Sequence, residues 1–146
     1  MRYKTNYQCM KEGFKIVNDI SVPSDFSSIS TVESLIDQIC IDLDVNEDAY
    51  GNVLIAVTEA VNNAIQHGNK LNNNLYVGLF VGDSLNEFCV NVTDEGCGFD
   101  YTNLPDPTSP ENIEKENGRG IFLMKSLADD IEFEDEGRSV NIYFSK

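Results

Sequence analysis

The stretch Glu59-Ala60-Val61-Asn62-Asn63-Ala64-Ile65-Gln66-His67-Gly68 decides the fold of this chain. Its apolar residues recur every three or four positions, which predicts the last turns of an amphipathic helix. We expect this helix to begin at the capping residue Asn46 and to end at Gly68 in a left-handed conformation. Glu59 and Asn63 are one helical turn apart, so they lie on the same polar stripe beside the apolar face.

Two glycine-containing motifs follow this helix. Asp94-Glu95-Gly96-Cys97-Gly98 comes directly after a predicted strand, and its glycines let the backbone approach a ligand closely. Gly118-Arg119-Gly120 opens a predicted helix, whose first N–H groups and the Arg119 side chain can hold anionic oxygens. Taken alone, the first motif is more typical of a solvated helix face and the second of a tight acidic turn, whereas the third is equally typical of a simple loop-to-helix turn. Their combination and order indicate a nucleotide site without a Walker lysine.

The polar side chains of the motifs suit ATP with magnesium. The Asn63 amide offers a neutral oxygen to Mg²⁺, which usually keeps several waters and takes other ligands from phosphates. Glu59 can accept a proton from an attacking hydroxyl or water. Asp94 stands at a strand end, where its carboxylate can accept a hydrogen bond from an exocyclic amine such as that of adenine.

The remaining pattern predicts one domain over residues 1–146, an α/β (α+β) two-layer sandwich. Helices are expected mainly on one face of a mixed, mostly antiparallel sheet. Period-two and helical patterns place strands at 14–22, 75–81 and 87–93, helices at 25–43, 46–68 and 118–128, and a hairpin at 130–144 that turns at Gly137. Residues 1–13 are expected to form a loose arm or an edge strand. The Pro-rich residues from 97 to about 117 form a long irregular loop of the kind that is usually functional.

Composition excludes several classes of function. With 25 acidic and 10 basic residues, the formal charge of −15 disfavours nucleic acid and anionic membranes as partners. The four cysteines form no C-x-x-C pair, so we expect reduced thiols and neither zinc nor a disulfide framework. Apolar runs are too short to span a bilayer and no signal-peptide core is present, which favours a cytoplasmic location. The single histidine, His67, is interpreted as a helix-end residue that stabilises free carbonyls.

The three motifs resemble those of the GHKL ATPase superfamily, and within it the small stand-alone anti-sigma-factor serine kinases. The resemblance covers residues 14–145. Residues 59–68 resemble the family's N box, residues 94–99 its first glycine box and residues 118–124 its second. Ser139 stands where the family often has a threonine beside the adenine.

The resemblance implies the Bergerat ATP-binding fold, with residues 99–117 as the ATP lid. It implies Glu59 as catalytic base, Asn63 as the Mg²⁺ ligand and Asp94 as the adenine-recognising residue. Further nucleotide contacts are implied at Gly96, Gly98, Gly118, Arg119, Gly120 and Ser139. The implied partners are an anti-sigma antagonist, phosphorylated on serine, and a sigma factor; a homodimer also occurs among such relatives. An alternative remains open, a nucleotide-gated protein-binding module that transfers no phosphoryl group.

Overall fold

The computed structural model describes residues 10–98 and 116–146, with side chains of the second range from Gly120 onward. The expected arm is thus covered only at residues 10–13, and the expected lid at residues 99–115 lies outside the described residues. Within the described ranges the chain forms a five-stranded sheet and three α-helices. The strands are β1 (Lys15–Pro23), β2 (Tyr76–Asp83), β3 (Glu87–Thr93), β4 (Asp130–Glu134) and β5 (Ser139–Ser145); the helices are α1 (Ile29–Asp42), α2 (Glu47–Asn63) and α3 (Glu116–Leu127).

The sheet has the strand order β1-β2-β3-β5-β4. All four pairings among the described strands are antiparallel, where the sequence led us to expect a mixed, mostly antiparallel sheet. The reason lies in the connection after β3: α3 leads into β4 at the sheet edge, and the β4–β5 hairpin then returns β5 beside β3 in the opposite direction. This return places the ends of β3 and the start of β5 side by side, with Thr93 opposite Ser139.

The three helices pack on one face of the sheet, which confirms the predicted two-layer architecture. One apolar cluster joins them to the central strands, and most of its side chains are fully buried. Burying a valine or isoleucine side chain stabilises a fold by about 1.5–3 kcal/mol, so this cluster dominates the stability. Its members include Val32, Ile36 and Ile39 of α1, Val53, Val57 and Val61 of α2, Met124 of α3, and Leu79, Val90 and Ile142 of the sheet.

A β-bulge divides β1 between the two faces of the sheet. The pairing with β2 shifts by one residue between Ile16 and Asn18, so Val17 is the extra residue. Ile20 and Val22 therefore pack in the helix-side core, whereas Phe14 and Ile16 pack on the opposite face. The even-numbered apolar pattern predicted a strand with a single buried face, and this is wrong because the bulge reverses the alternation.

Several element boundaries differ from the predicted ones by a few residues. The first helix begins later than expected, because a 3₁₀ turn at Phe26–Ser28, capped by the Asp25 carboxylate, precedes α1. Asn46 caps α2 as predicted: its side-chain oxygen accepts a hydrogen bond of 2.8 Å from the Asp48 N–H. The second strand extends past its predicted end at residue 81, since pairing continues to Asp83, and the β2–β3 turn lies at residues 84–86. None of the described helices has the length and apolar character needed to cross a bilayer.

Candidate nucleotide-binding site

A solvent-open cleft of about 570 Å³ lies between α2, α3 and the adjoining ends of β3 and β5. This volume includes solvent at the mouth, so the cleft is a partly open groove rather than an enclosed cavity. Its walls are largely apolar, and its polar groups come from separate parts of the chain that the fold brings together. The lining residues are Ala60, Asn63, Ala64, His67, Gly68, Val92, Asp94, Gly98, Ile121, Met124, Phe133, Gly137, Arg138 and Val140.

The end of the second helix forms one side of the cleft through a π-helical turn, Ala64–Gly68. The Asn69 N–H donates to the Ala64 carbonyl at 2.8 Å, which widens the last turn. The left-handed residues follow at Lys70 and Leu71, with φ of 53° and 59°, so the prediction that Gly68 is the left-handed stop is wrong. Such π turns occur frequently at functional sites.

Gly68 has a different role, because it lies directly against the Asp94 carboxylate. A β-carbon at Gly68 would lie 2.4 Å from Asp94 Oδ2. A β-carbon at Gly96 would lie 2.0 Å from the Gly68 carbonyl oxygen, so the two glycines also contact each other through the backbone. Only residues without a side chain fit at these two positions. The two sequence motifs are thereby joined into one site.

Asp94 is held in the cleft by its own loop. The Gly96 N–H donates to Asp94 Oδ1 at 2.8 Å, and the Asp94 N–H donates to the Arg138 carbonyl at 2.9 Å. Burial raises the pKa of the Asp94 carboxyl from 3.8 to about 6, against the opposing influence of the Gly96 hydrogen bond and the Arg138 charge. The carboxyl group is therefore ionised at neutral pH. Burial of the charge destabilises the folded protein unless a ligand donates a hydrogen bond to it.

Asn69 anchors this loop, a role that the sequence analysis missed. Its buried side chain accepts a hydrogen bond of 2.8 Å from the Glu95 N–H and donates to Ser24 Oγ at 2.8 Å and the Tyr76 carbonyl at 3.1 Å. The asparagine thus ties the end of the second helix to the Asp94 loop and to β2. Its position directly after the Gln66-His67-Gly68 run was the only sequence signal.

Glu59 and Asn63 meet Gly120 of α3. A β-carbon at Gly120 would lie 3.0 Å from Glu59 Oε1 and 3.1 Å from Asn63 Nδ2, so the missing side chain lets the two helices approach. Asn63 lines the cleft together with Asp94, as expected from the sequence. Glu59 is not among the cleft-lining residues of the described chain and lies at its margin, one turn before Asn63.

The Asn63 amide is compatible with a role as a cation ligand. Its Nδ2 atom is buried and has no hydrogen-bond partner in the described structure, which is rare for an amide. Rotating the amide exchanges nitrogen and oxygen, so the same position can present an acceptor. A single protein oxygen completed by waters and phosphates is a usual arrangement for Mg²⁺. Among the described residues no cluster of three His, Cys, Asp or Glu side chains forms a metal site.

Gly118 and Arg119 lie in the first turn of α3, which begins at Glu116 rather than at Gly118. The first four N–H groups of a helix have no partner within it. Gly118 and Arg119 therefore lie in the turn whose N–H groups are free to bind an anion, whereas Gly120 follows it. The phosphate contacts expected of the second glycine motif stay a prediction. What the Arg119 side chain contacts lies outside the described structure.

Ser139 is not brought to the cleft. Its neighbour Val140 lines the cleft, and strand alternation turns Ser139 to the opposite face of the sheet. There its Oγ accepts hydrogen bonds from Asn91 Nδ2 at 2.9 Å and Thr93 Oγ1 at 3.0 Å. The expectation of a direct nucleotide contact by Ser139 is not supported, since the pleat aims its hydroxyl into this buried network.

Arg138, the residue before Ser139, lines the cleft instead. The tight turn Asp135–Gly137 delivers it with three consecutive left-handed residues, at φ of 52°, 56° and 88°. Gly98 packs behind this turn, since a β-carbon there would lie 2.2 Å from the Glu136 carbonyl oxygen. Because Thr93 pairs with Ser139, the residues next to them in sequence, Asp94 and Arg138, are neighbours. The sequence would have predicted this contact only if the register of β3 and β5 had been known.

His67 lies in the last turn of the second helix, as expected, but its exposed side chain also lines the cleft. It therefore stands near Gly68 and Asp94 at the mouth. Its predicted role toward the helix-end carbonyls stays a prediction.

Comparison with known proteins agrees with this geometry. The histidine kinase-like ATPase domain family matches residues 22–144. The serine-protein kinase RsbW of Staphylococcus aureus, in strains JH9, Newman and JH1, is 28% identical over 120 residues, which cover 77% of this chain and 76% of the relative. The matched residues include all three motifs and the strands and helices that bring them together. This chain belongs to the histidine kinase-like ATPase domain family, within the GHKL superfamily.

Proposed function

We propose that this protein is an ATP-dependent protein serine kinase that acts as an anti-sigma regulatory factor in the cytoplasm. The observation that carries the proposal is the convergence of Asn63, Gly68 and Asp94 on one cleft, with Glu59 against Gly120 at its margin. The similarity to a protein named as a serine-protein kinase supports the choice of reaction.

The apolar walls suit an adenine ring, and the Asp94 carboxylate suits its 6-amino group. Val92, Val140 and Met124 supply apolar surface next to Asp94. The amine is a donor and the ionised carboxylate an acceptor, so the amine adds a hydrogen bond to the one that Asp94 accepts from the Gly96 N–H. Accepting this hydrogen bond would favour the ionised form of Asp94.

The phosphates would then extend toward the first turn of α3. Free N–H groups and the positive end of the helix dipole stabilise phosphate oxygens there. Bound Mg²⁺ would neutralise charge on the phosphates, with Asn63 as its protein ligand. Gly120 keeps this turn close to Asn63, since any side chain would press on the amide.

Glu59 would act as general base in the transfer. As the serine oxygen of the antagonist bonds to the γ-phosphorus and the bond to ADP breaks, the hydroxyl proton passes to the Glu59 carboxylate. Its position one helical turn from Asn63 sets the carboxylate on the side of the cleft where α3 begins. The partner serine would enter from this side.

Transfer of labelled phosphate from γ-labelled ATP to an antagonist protein with a phospho-accepting serine tests the proposal. Glu59→Gln is expected to retain ATP binding but to lower the transfer rate about 100-fold or more, because a general base contributes about 10²–10⁴ to the rate. Glu33→Gln, an exposed change on α1, serves as the matched control. Transfer by Glu59→Gln at the wild-type rate would remove the assigned role.

A second candidate function is a nucleotide-gated binding module without transfer, to which the marginal position of Glu59 is also suited. In that case ATP would alter the affinity for a sigma factor or an antagonist, while no label reaches protein. The same labelled mixture separates the two functions, since partner binding that depends on ATP without transfer favours the module. Sedimentation of the protein with and without ATP would test the predicted homodimer.

A further inference from the structure

Arg138 occupies a position beside Asp94 that the nucleotide motifs do not include. It is the first residue after the Asp135–Gly137 turn and its side chain lines the cleft. About a quarter of the side chain is exposed, so the guanidinium is partly desolvated. The cleft lining therefore contains a partly desolvated cation as well as the half-buried Asp94 carboxylate.

The Asp135 carboxylate fixes the orientation of the guanidinium. Arg138 Nη2 donates to Asp135 Oδ1 at 3.0 Å and Nε donates to Asp135 Oδ2 at 3.3 Å, which is a fork that sets the plane of the group. Nη2 also donates to Glu136 Oε2 at 3.3 Å. These contacts use the Nε and Nη2 donors and leave Nη1 directed toward the cleft-side loop.

Nη1 and the Asp94 carboxylate flank the same residue, Gly96. Nη1 donates to the Gly96 carbonyl at 3.5 Å, a long and weak contact, while the Gly96 N–H donates to Asp94 Oδ1 at 2.8 Å. Within the described part of the chain the second N–H of Nη1 has no acceptor. An acceptor, the Asp94 carboxylate, and a donor, the Arg138 guanidinium, thus both line the cleft and both contact Gly96.

We infer that Arg138 is a base-contacting residue that donates to the ring nitrogen beside the adenine 6-amino group, and so selects ATP over GTP together with Asp94. Adenine presents a donor at its 6-position and acceptors at N1 and N7 on either side of it. Guanine presents an acceptor oxygen at the 6-position, which an ionised Asp94 repels. The inference rests on the proposed nucleotide function and adds a second specificity determinant to the same site.

Calorimetric titration with the magnesium complexes of ATP, 1-deaza-ATP, 7-deaza-ATP and GTP tests the inference. Loss of the ring nitrogen that Nη1 contacts is expected to weaken binding to wild type about 10- to 100-fold, as for a hydrogen bond to a charged group. Arg138→Met keeps the length of the side chain without donors and should bind ATP and that deaza analogue equally well. Arg138→Lys should restore part of the difference in affinity between ATP and the deaza analogue. Lys15→Met removes one positive charge elsewhere on the protein and serves as the control for the charge lost in Arg138→Met.

The results separate this inference from the proposed function. If wild type binds ATP and Asp94→Asn does not, but both deaza analogues bind like ATP, Arg138 does not contact the base and the inference alone fails. Equal weakening of every nucleotide by Arg138→Met would also overturn it. If wild type binds none of the nucleotides, both fail together. The comparison of analogues on wild type decides the matter even if Arg138→Met does not fold.

Discussion

Asp94 shows how a single residue connects stability with ligand recognition. Its place directly after a strand and before two glycines was enough to predict it as a site residue. What surrounds it could not be predicted, because Gly68 and Arg138 reach it through the end of the second helix and the register of β5. These long-range contacts determine its burial and hence its raised pKa.

Asp94→Asn is expected to abolish ATP binding and to stabilise the free protein at pH 7.5. The folded pKa of about 6 exceeds the ordinary 3.8, so the unfolded chain releases this proton first as the pH rises, and stability falls between these two values. Removing the charge should therefore stabilise by about 1–3 kcal/mol at pH values above the folded pKa, since one pKa unit corresponds to about 1.4 kcal/mol. Urea unfolding of both proteins measures the difference.

The same measurement in acid is the control. Below the ordinary pKa of 3.8 the carboxyl is protonated in both the folded and the unfolded chain, so this stabilisation should vanish there. A gain that is equally large in acid would assign the effect to packing rather than to the buried charge.

At the scale of elements, patterns within one segment were predictable and contacts between segments were not. The α2 cap at Asn46 and the β4–β5 hairpin followed from local residues, and both are confirmed. The π turn did not follow, because a glycine after a helix usually signals a left-handed stop. The β1 bulge was also missed, since a one-residue insertion at Val17 leaves the apolar pattern almost unchanged.

Gly68→Ala and Gly51→Ala form a matched pair, since Gly68 ends the turn that follows α2 and Gly51 lies in the second turn of α2. At Gly68 the new methyl group would lie 2.4 Å from Asp94 Oδ2, so the carboxylate must move. We expect Gly68→Ala to lower the free energy of unfolding by about 1–3 kcal/mol. We also expect it to weaken ATP binding. At Gly51 no atom lies within 4 Å, and alanine should stabilise the helix by about 0.5–1 kcal/mol.

Urea unfolding and ATP titration of both variants provide the readout. Equal effects at the two positions would show that helix propensity, rather than the contact with Asp94, governs Gly68. A Gly68→Ala protein that binds ATP like wild type would contradict the close packing of the two motifs.

At the scale of the whole molecule, the architecture followed from the sequence because the motifs and the hydrophobic periods agreed. The antiparallel character of every described pairing did not follow, since strand order depends on where β4 and β5 join the sheet. Net charge was available directly from composition and concerns the surface rather than the fold. It predicts how the molecule responds to salt and which partners it attracts.

Sodium chloride is expected to raise the melting temperature of the free protein. At a formal charge of −15 the folded surface repels itself, and salt shortens the range of that repulsion from about 30 Å at 0.01 M to about 8 Å at 0.15 M. Differential scanning calorimetry over this range measures the rise. Potassium chloride should give the same result, whereas a fall with either salt would show that favourable ion pairs outweigh the repulsion.

The bulge in β1 gives the protein a built-in chemical reporter. Because Phe14 and Ile16 turn away from the helices, they pack against the cluster that contains Cys89, whose thiol is fully shielded and has a pKa raised by burial. Shortening these two side chains to alanine removes part of the packing on this face of the sheet and leaves the helix-side core unchanged. The rate at which iodoacetamide alkylates Cys89, compared with the rate in the unaltered protein, would then report how firmly the first strand stays attached, independently of anything that happens in the cleft.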